Sequence, residues 1–248
     1  MIDPQAILII TFSFTLAGIV KGVTGFGMPV VSLGLLVTSF DLTTAMALFI
    51  VPSFVTNLWQ AVSGGQLLSL FRQIWSYLLL AVLAVWIGSI ALIRVELHLL
   101  STFLGGLLIF YSLLCIFGYR LNMPPARERW LAPILGSING ILAGMTGAFI
   151  VPGVMYLQAI GLSRDQLVQA MGMLFAALTV ALACALQYRN FSSTELNLIS
   201  LAAVLPAMMG MWIGRKIRKS LPEQQFQSIF YSAMFLLGVF IAIKSLLI

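Results

Sequence analysis

The sequence predicts an all-α polytopic membrane protein of two inverted repeats, each a glycine-broken re-entrant hairpin followed by three transmembrane helices. Three observations carry that prediction. Of the 248 residues, 61% are hydrophobic and only 8% charged, too few charges to solvate the surface of a water-soluble domain. Apolar runs of about 20 residues, the length that crosses a hydrocarbon core of about 30 Å, recur along the chain. A glycine-rich interruption, GIVKGVTGFGMP at Gly18–Pro29, returns 122 residues later as GILAGMTGAFIVP at Gly140–Pro152.

The first apolar run extends from Ala6 to Phe40 with the interruption in its middle. As one helix it would measure about 52 Å at 1.5 Å per residue. Split at the interruption, the halves Ala6–Val20 and Met28–Phe40 each reach only about 20 Å, too short for a comfortable crossing and long enough for a hairpin that enters and leaves on one side. Irregular backbone at that depth is tolerated only where it is buried in protein or lines a wet cavity. Leu42–Ala61, Ile74–Ile93 and Leu97–Gly118 then read as full spans.

The most polar stretch, YRLNMPPARER at Tyr119–Arg129, separates the halves, giving a first repeat over residues 1–120 and a second over 130–248. After it the plan recurs: a broken run from Trp130 to Ile160, then spans at Leu167–Gln187, Leu196–Ile213 and Phe226–Leu247. Trp86-Ile87-Gly88 and Trp212-Ile213-Gly214, 126 residues apart in the third element of each half, support the duplication.

Positive charges test the topology. With both broken runs re-entrant, Arg72, Arg120, Arg127, Arg129, Arg164, Arg215, Lys216, Arg218 and Lys219 share one side, nine cations against Arg94, Arg189 and Lys244 on the other. With both runs crossing fully, the counts are five and six and carry no bias. Cytoplasmic loops are the ones enriched in lysine and arginine, so the hairpin topology is preferred, with both termini on the non-cytoplasmic side of the cell membrane. Each half then makes an odd number of crossings and the halves are inverted, the plan of many secondary transporters, and the two glycine breaks are expected to face each other and form one midplane binding site. The net charge of +6 is absorbed by these short loops and gives no reason to invoke a nucleic acid.

Lys21 is the one lysine or arginine well inside an apolar run, and none of the seven carboxylates lies within a span or a broken run. A charged side chain at that depth is costly without a counter-charge, so a small anion is the expected partner. The interruptions supply further donors: backbone N–H groups at Gly22, Gly25, Gly27, Gly144 and Gly147, and hydroxyls at Thr24 and Thr146. A helix N-terminus aimed at such a break adds a partial positive charge. Asn57 and Asn139 are the polar span residues closest to the breaks and are expected to line the path; Phe26 and Phe149 flank them as gating candidates. Alternative roles are open at this stage: Lys21, whose counterpart is Ala143, can snorkel, and Gly18/Gly22 and Gly140/Gly144 can serve close helix packing. In a combined reading the first glycines pack and Gly25, Gly27 and Gly147 open the backbone, with Gly210/Gly214 packing alone.

Other classes find little footing. One histidine, His98 beside Glu96, is read as an interface residue, and Cys115 and Cys184, without a CxxC or His/Cys cluster, as core residues. No metal, cofactor or enzymatic role is expected, since no nucleophile–base pair lies in the spans, and no Walker A sequence is present. A removable signal peptide is not expected from MIDPQAILII, which lacks a positive n-region. A structural or assembly protein of the membrane is the alternative, though it has no need of two costly glycine breaks.

The paired motifs, each opening a four-element half, resemble the sulfite exporter (TauE/SafE-like) family of membrane permeases over essentially the whole chain. The resemblance implies transport of a small anion such as sulfite, a sulfonate or a related carboxylate across the inner membrane. Its glycine signature falls on Gly18, Gly22, Gly25, Gly27 and Pro29, and again on Gly140, Gly144, Gly147 and Pro152. The second copy departs from symmetry, with Phe149 where the first has Gly27. Protons or another ion are the candidate coupling species, the lipid bilayer is the obligatory partner, and a homo-oligomer fits a permease of this size.

Overall fold

A computed structural model describes residues 4–118, 125–191, 193–218 and 223–246. In chain order its helices are α1 (Pro4–Thr24), α2 (Met28–Leu36), α3 (Leu42–Val62), α4 (Leu67–Gly88), α5 (Ala91–Arg94), α6 (Leu97–Ile116), α7 (Pro125–Thr146), α8 (Gly153–Ala159), α9 (Arg164–Tyr188), α10 (Thr194–Ala202), α11 (Val204–Arg218) and α12 (Glu223–Leu246). Among the described residues, six stretches are long and apolar enough to cross a bilayer: Pro4–Thr24, Leu42–Val62, Leu67–Arg94, Leu97–Ile116, Asp165–Tyr188 and Thr194–Ile217. Their outward faces carry Trp75, Leu83, Phe110, Leu205 and Trp212, all exposed, as lipid contact requires. Cys184, expected in the core, lies on an exposed face, and Cys115 is half-buried.

The first interruption differs from expectation in its extent. The expected break across Gly18–Pro29 shrinks to residues 25–27, and α1 runs on for 21 residues, about 31 Å, a full span rather than half of one. Gly18 and Gly22 do not open this helix because α11 fills the space a side chain would need. A Cβ at Gly18 would strike Ala207 O, and one at Gly22 would strike Met211 O and come within 2.9 Å of Arg215 N. Gly140 and Gly144 on α7 are closed in the same manner by Ala81 and Val85 of α4. Glycine inside a helix costs about 1 kcal/mol relative to alanine, which the close backbone approach offsets through packing.

Where the helices stop, the two copies agree. Gly25 has φ 85° and Gly147 φ 72°, and their N–H groups bond Lys21 O and Ala143 O, both at 2.8 Å. A left-handed residue after the last turn is the common glycine stop. Thr24 and Thr146 complete it: Phe26 N donates to Thr24 Oγ1 and Ala148 N to Thr146 Oγ1, both at 3.2 Å. The following helices are short, nine residues in α2 and seven in α8.

The most extensive packing joins the two halves rather than neighbours within one. α1 lies along α11, α4 along α7, α3 along α9 and α6 along α12, and exchanging the halves maps this set onto itself. The α6–α12 pair also closes through glycine, since a Cβ at Gly105 would lie 2.7 Å from Gly238 O. Pro52 inside α3 cannot bond Leu48 O. Ser200 of α10 replaces that bond, donating to Leu48 O at 2.7 Å while accepting from Val51 N at 3.2 Å.

At one end of the bundle the start of α9 is tied to the α3–α4 turn: Gln66 N donates to Gln169 Oε1 at 3.1 Å, and Gln166 Nε2 to Gln66 Oε1 at 2.7 Å. At the other end, two cations sit on helix C-termini, where the dipole favours them. Arg189 donates to Ser89 Oγ at 2.9 Å and Trp86 O at 3.3 Å beside the end of α4, and Lys244 donates to Thr38 O just past α2.

Asp41 starts α3 as its N-cap, accepting from Thr44 N at 2.9 Å. Partial burial pushes its carboxyl up, but the hydrogen bonds from Thr43 and Thr44 outweigh it and hold the pKa below the usual carboxylate value. A depressed folded pKa means the cap's stabilisation is present above the unfolded pKa and lost as pH falls through the folded one. Asp41→Ala is expected to cost about 1 kcal/mol, read as a lower melting temperature at neutral pH. The gap between the variant and the parent should narrow on acidification.

Candidate functional site

Phe14, Ala17 and Lys21 share one face of α1 at spacings of three and four residues, and that face is buried: Lys21 is 2% exposed. Its ammonium meets α3, donating to Thr56 Oγ1 at 3.2 Å and to Asn57 Oδ1. No ion pair to Lys21 occurs among the described residues. A buried cation held only by a hydroxyl and an amide keeps much of its desolvation cost.

The polar contacts continue across the bundle. Asn57 Nδ2 donates to Ser53 Oγ at 3.0 Å, and Ser53 Oγ lies 3.4 Å from Thr179 Oγ1 of α9. All three residues are fully buried. Gln60, one turn beyond Asn57, spends both amide hydrogens on structure, donating to Gly25 O at 2.7 Å and Val168 O at 2.6 Å. It thereby pins the first break to α9.

Beside Lys21 opens a cleft of about 690 Å³. Gly22, Gly25 and Met211 line it near Lys21, and Arg215, Asp165 and Ser63, all exposed, line it toward the end of the bundle. Of the expected site residues, the structure thus brings together Lys21, Gly22 and Gly25, with Asn57 bonded to the lysine.

The second copy lies elsewhere. Gly25 is bonded to Gln60 near the end of α3, whereas a Cβ at Gly147 would meet Met46 and Phe49 near its start. Phe49 and Gln60 are 11 positions apart on α3, about 16 Å along the helix, so the breaks do not converge on one point. Gly144 is packed on α4, and Thr146 Oγ1 donates to Leu142 O at 2.8 Å while holding Ala148 N. Thr24 likewise donates within the first break, to Phe26 O at 2.7 Å and Val20 O at 2.9 Å, and Gly27 is the left-handed N-cap of α2. Asn139 is buried and donates to Phe149 O at 3.0 Å, while its Oδ1 has no partner.

Of the gating candidates, Phe26 is buried, and Phe149 is enclosed by Phe49 at 5.7 Å and Phe175 at 6.1 Å between ring centroids. These three rings form an apolar plug alongside the Ser53–Thr179 contact, with Phe175 one turn before Thr179 on α9 and Phe49 one turn before Ser53 on α3.

Sequence reasoning missed Thr56, Ser53, Thr179, Asp165 and Arg215. Thr56 adjoins Asn57 and a helical wheel of α3 would have found it. Arg215 had no such signal, because it reads as one more loop cation until α11 packs on Gly22. Among the described residues, no group of three or more His, Cys, Asp or Glu side chains stands close enough to hold a metal. His98 Nδ1 lies 3.3 Å from Glu96 Oε2, away from the cleft.

A family model described as Sulfite exporter TauE/SafE matches residues 10–241. No curated protein and no solved structure matches the chain.

Proposed function

The chain belongs to the sulfite exporter TauE/SafE family, and on that premise we propose that it is a secondary transporter or facilitator for sulfite or a related sulfonate or carboxylate. The observation that carries this reading is Lys21, buried at the side of a 690 Å³ cleft with no carboxylate to pair with among the described residues. An anion entering the cleft supplies the missing charge. Such a charge-assisted contact is roughly twice as strong as a neutral hydrogen bond.

In this reading the anion meets Lys21 with Gly22 and Gly25 at its sides. It then passes Asn57, Ser53 and Thr179 toward the second break, where Asn139, Gly144, Thr146 and Gly147 lie. The Phe49–Phe149–Phe175 plug blocks that route in the present conformation, so the cleft is open to one side only. Two inverted halves packed against each other offer the alternative state, in which the second half opens and the first closes. The inverted plan draws support from the helix pairs, which are unchanged when the halves are exchanged.

The open cleft faces the end that bears Arg215 and Lys216, which the distribution of positive charge makes cytoplasmic, with both termini outside. Protons or another ion couple the flux, or the flux is passive. Saturable uptake of labelled sulfite into proteoliposomes is the expected result, and its absence would overturn the assignment. For topology, single cysteines placed at Arg129 and Arg164 should label from the same face of the membrane; labelling from opposite faces would refute the two hairpins.

A further inference from the structure

Arg72, Arg94 and Arg129 are, like Arg215, exposed and without a hydrogen bond or ion pair to a described residue, but of these four only Arg215 lines the cleft. Arg189 and Lys244 are spent on backbone carbonyls, and Lys216 Nζ lies 3.5 Å from the centroid of the Trp212 ring. Arg215 is exposed, lines the cleft, and makes no hydrogen bond or ion pair with any described residue. It is also held in place: α11 packs so closely on α1 that Arg215 N lies 2.9 Å from where a Gly22 Cβ would be. An unpaired guanidinium therefore sits at the opening of a cleft whose wall is a buried ammonium.

The two cations differ in chemistry. A guanidinium is a planar fork that matches two oxygens of an oxyanion at once, and it stays charged and weakly hydrated; an ammonium is a compact point charge. From this geometry we infer that Arg215 is the capture residue of the transport path, taking an oxyanion in bidentate fashion at the mouth and passing it inward to Lys21. This rests on the anion-transport reading above.

Asp165, in the first turn of α9, lines the same cleft and is exposed. As the acid of this lining it opposes Arg215: it repels the incoming anion and weakens its hold, favouring release once the cleft is open. Rim charges act mainly on encounter and on salt dependence, so both residues should move the concentration of half-maximal flux and leave the maximal rate alone.

The test is sulfite uptake into proteoliposomes by the wild type, Arg215→Gln, Arg215→Lys and Asp165→Asn. Arg215→Gln should raise KM about tenfold, the effect of one lost charge contact, and flatten its dependence on ionic strength. Arg215→Lys should restore the salt dependence but only part of the affinity, since the charge returns without the fork. Asp165→Asn should move KM the other way, lowering it a fewfold. Unchanged KM in Arg215→Gln, or a lower maximal rate at constant KM, overturns the inference and leaves the anion-transport reading standing. Absence of saturable flux in the wild type overturns both.

Discussion

Lys21→Met is expected to abolish saturable sulfite flux while the melting temperature holds or rises. Methionine keeps the length and flexibility of the lysine stem, so the α1–α3 contact remains filled. What is lost is the one buried cation at the cleft among the described residues. Removing one partner of a buried charge pair costs about 3–5 kcal/mol, which corresponds to a loss of two to three orders of magnitude in affinity for the anion. Stability should respond differently. The empty protein holds a desolvated charge that forms no ion pair with any described acid, and methionine removes that cost. Against this stands the lost donor to Thr56 and Asn57, about 1–3 kcal/mol. Flux in proteoliposomes and thermal unfolding in detergent separate the two effects, and a variant that transports like the wild type would exclude Lys21 from the path.

The second large effect is structural. Gly140→Leu should yield little folded protein, whereas Gly106→Leu should fold as well as the parent or better. A Cβ at Gly140 would strike Ala81 O and lie 2.8 Å from the Ala84 Cβ, mostly backbone that cannot swing aside. Separating α7 from α4 would be the only relief, and α4–α7 is one of the main contacts between the halves. Overpacking a core commonly costs about 1–3 kcal/mol; a leucine wedged against backbone should exceed that range. At Gly106 on α6 nothing lies within 4 Å of an added Cβ, and leucine gains about 1 kcal/mol of helix propensity over glycine. Size-exclusion yield and melting temperature report both. Equal behaviour of the two variants would show that α4 and α7 can separate at little cost.

Local properties of the chain made several features legible from the residues alone. Apolar runs announced membrane helices, because backbone in hydrocarbon must satisfy its own hydrogen bonds and its side chains must be apolar. The matching TG pairs at Thr24-Gly25 and Thr146-Gly147 marked two equivalent interruptions; that each is a helix end closed by a left-handed glycine is seen in the structure. The solitary Lys21, with no carboxylate in any span, pointed to the candidate site, whereas its bond to Asn57 of α3 emerged only from the packed helices.

The tertiary structure decided the rest. In the sequence, Gly18 and Gly22 fit either the break or a small-residue packing face, because their only signal is the absence of a Cβ. Whether that absence opens a backbone or admits a neighbouring helix depends on what lies opposite. For Gly18 and Gly22 it is α11, so α1 became a full span and the break contracted to three residues. The same packing carried Arg215 to the cleft, across nearly 200 residues of chain. It also set the two breaks against opposite ends of α3 instead of at a shared midplane point. Hydropathy and glycine interruptions belong to short stretches of chain and can be read there. Which helix fills a glycine's empty space, and which charges then become neighbours, is a property of the packed whole.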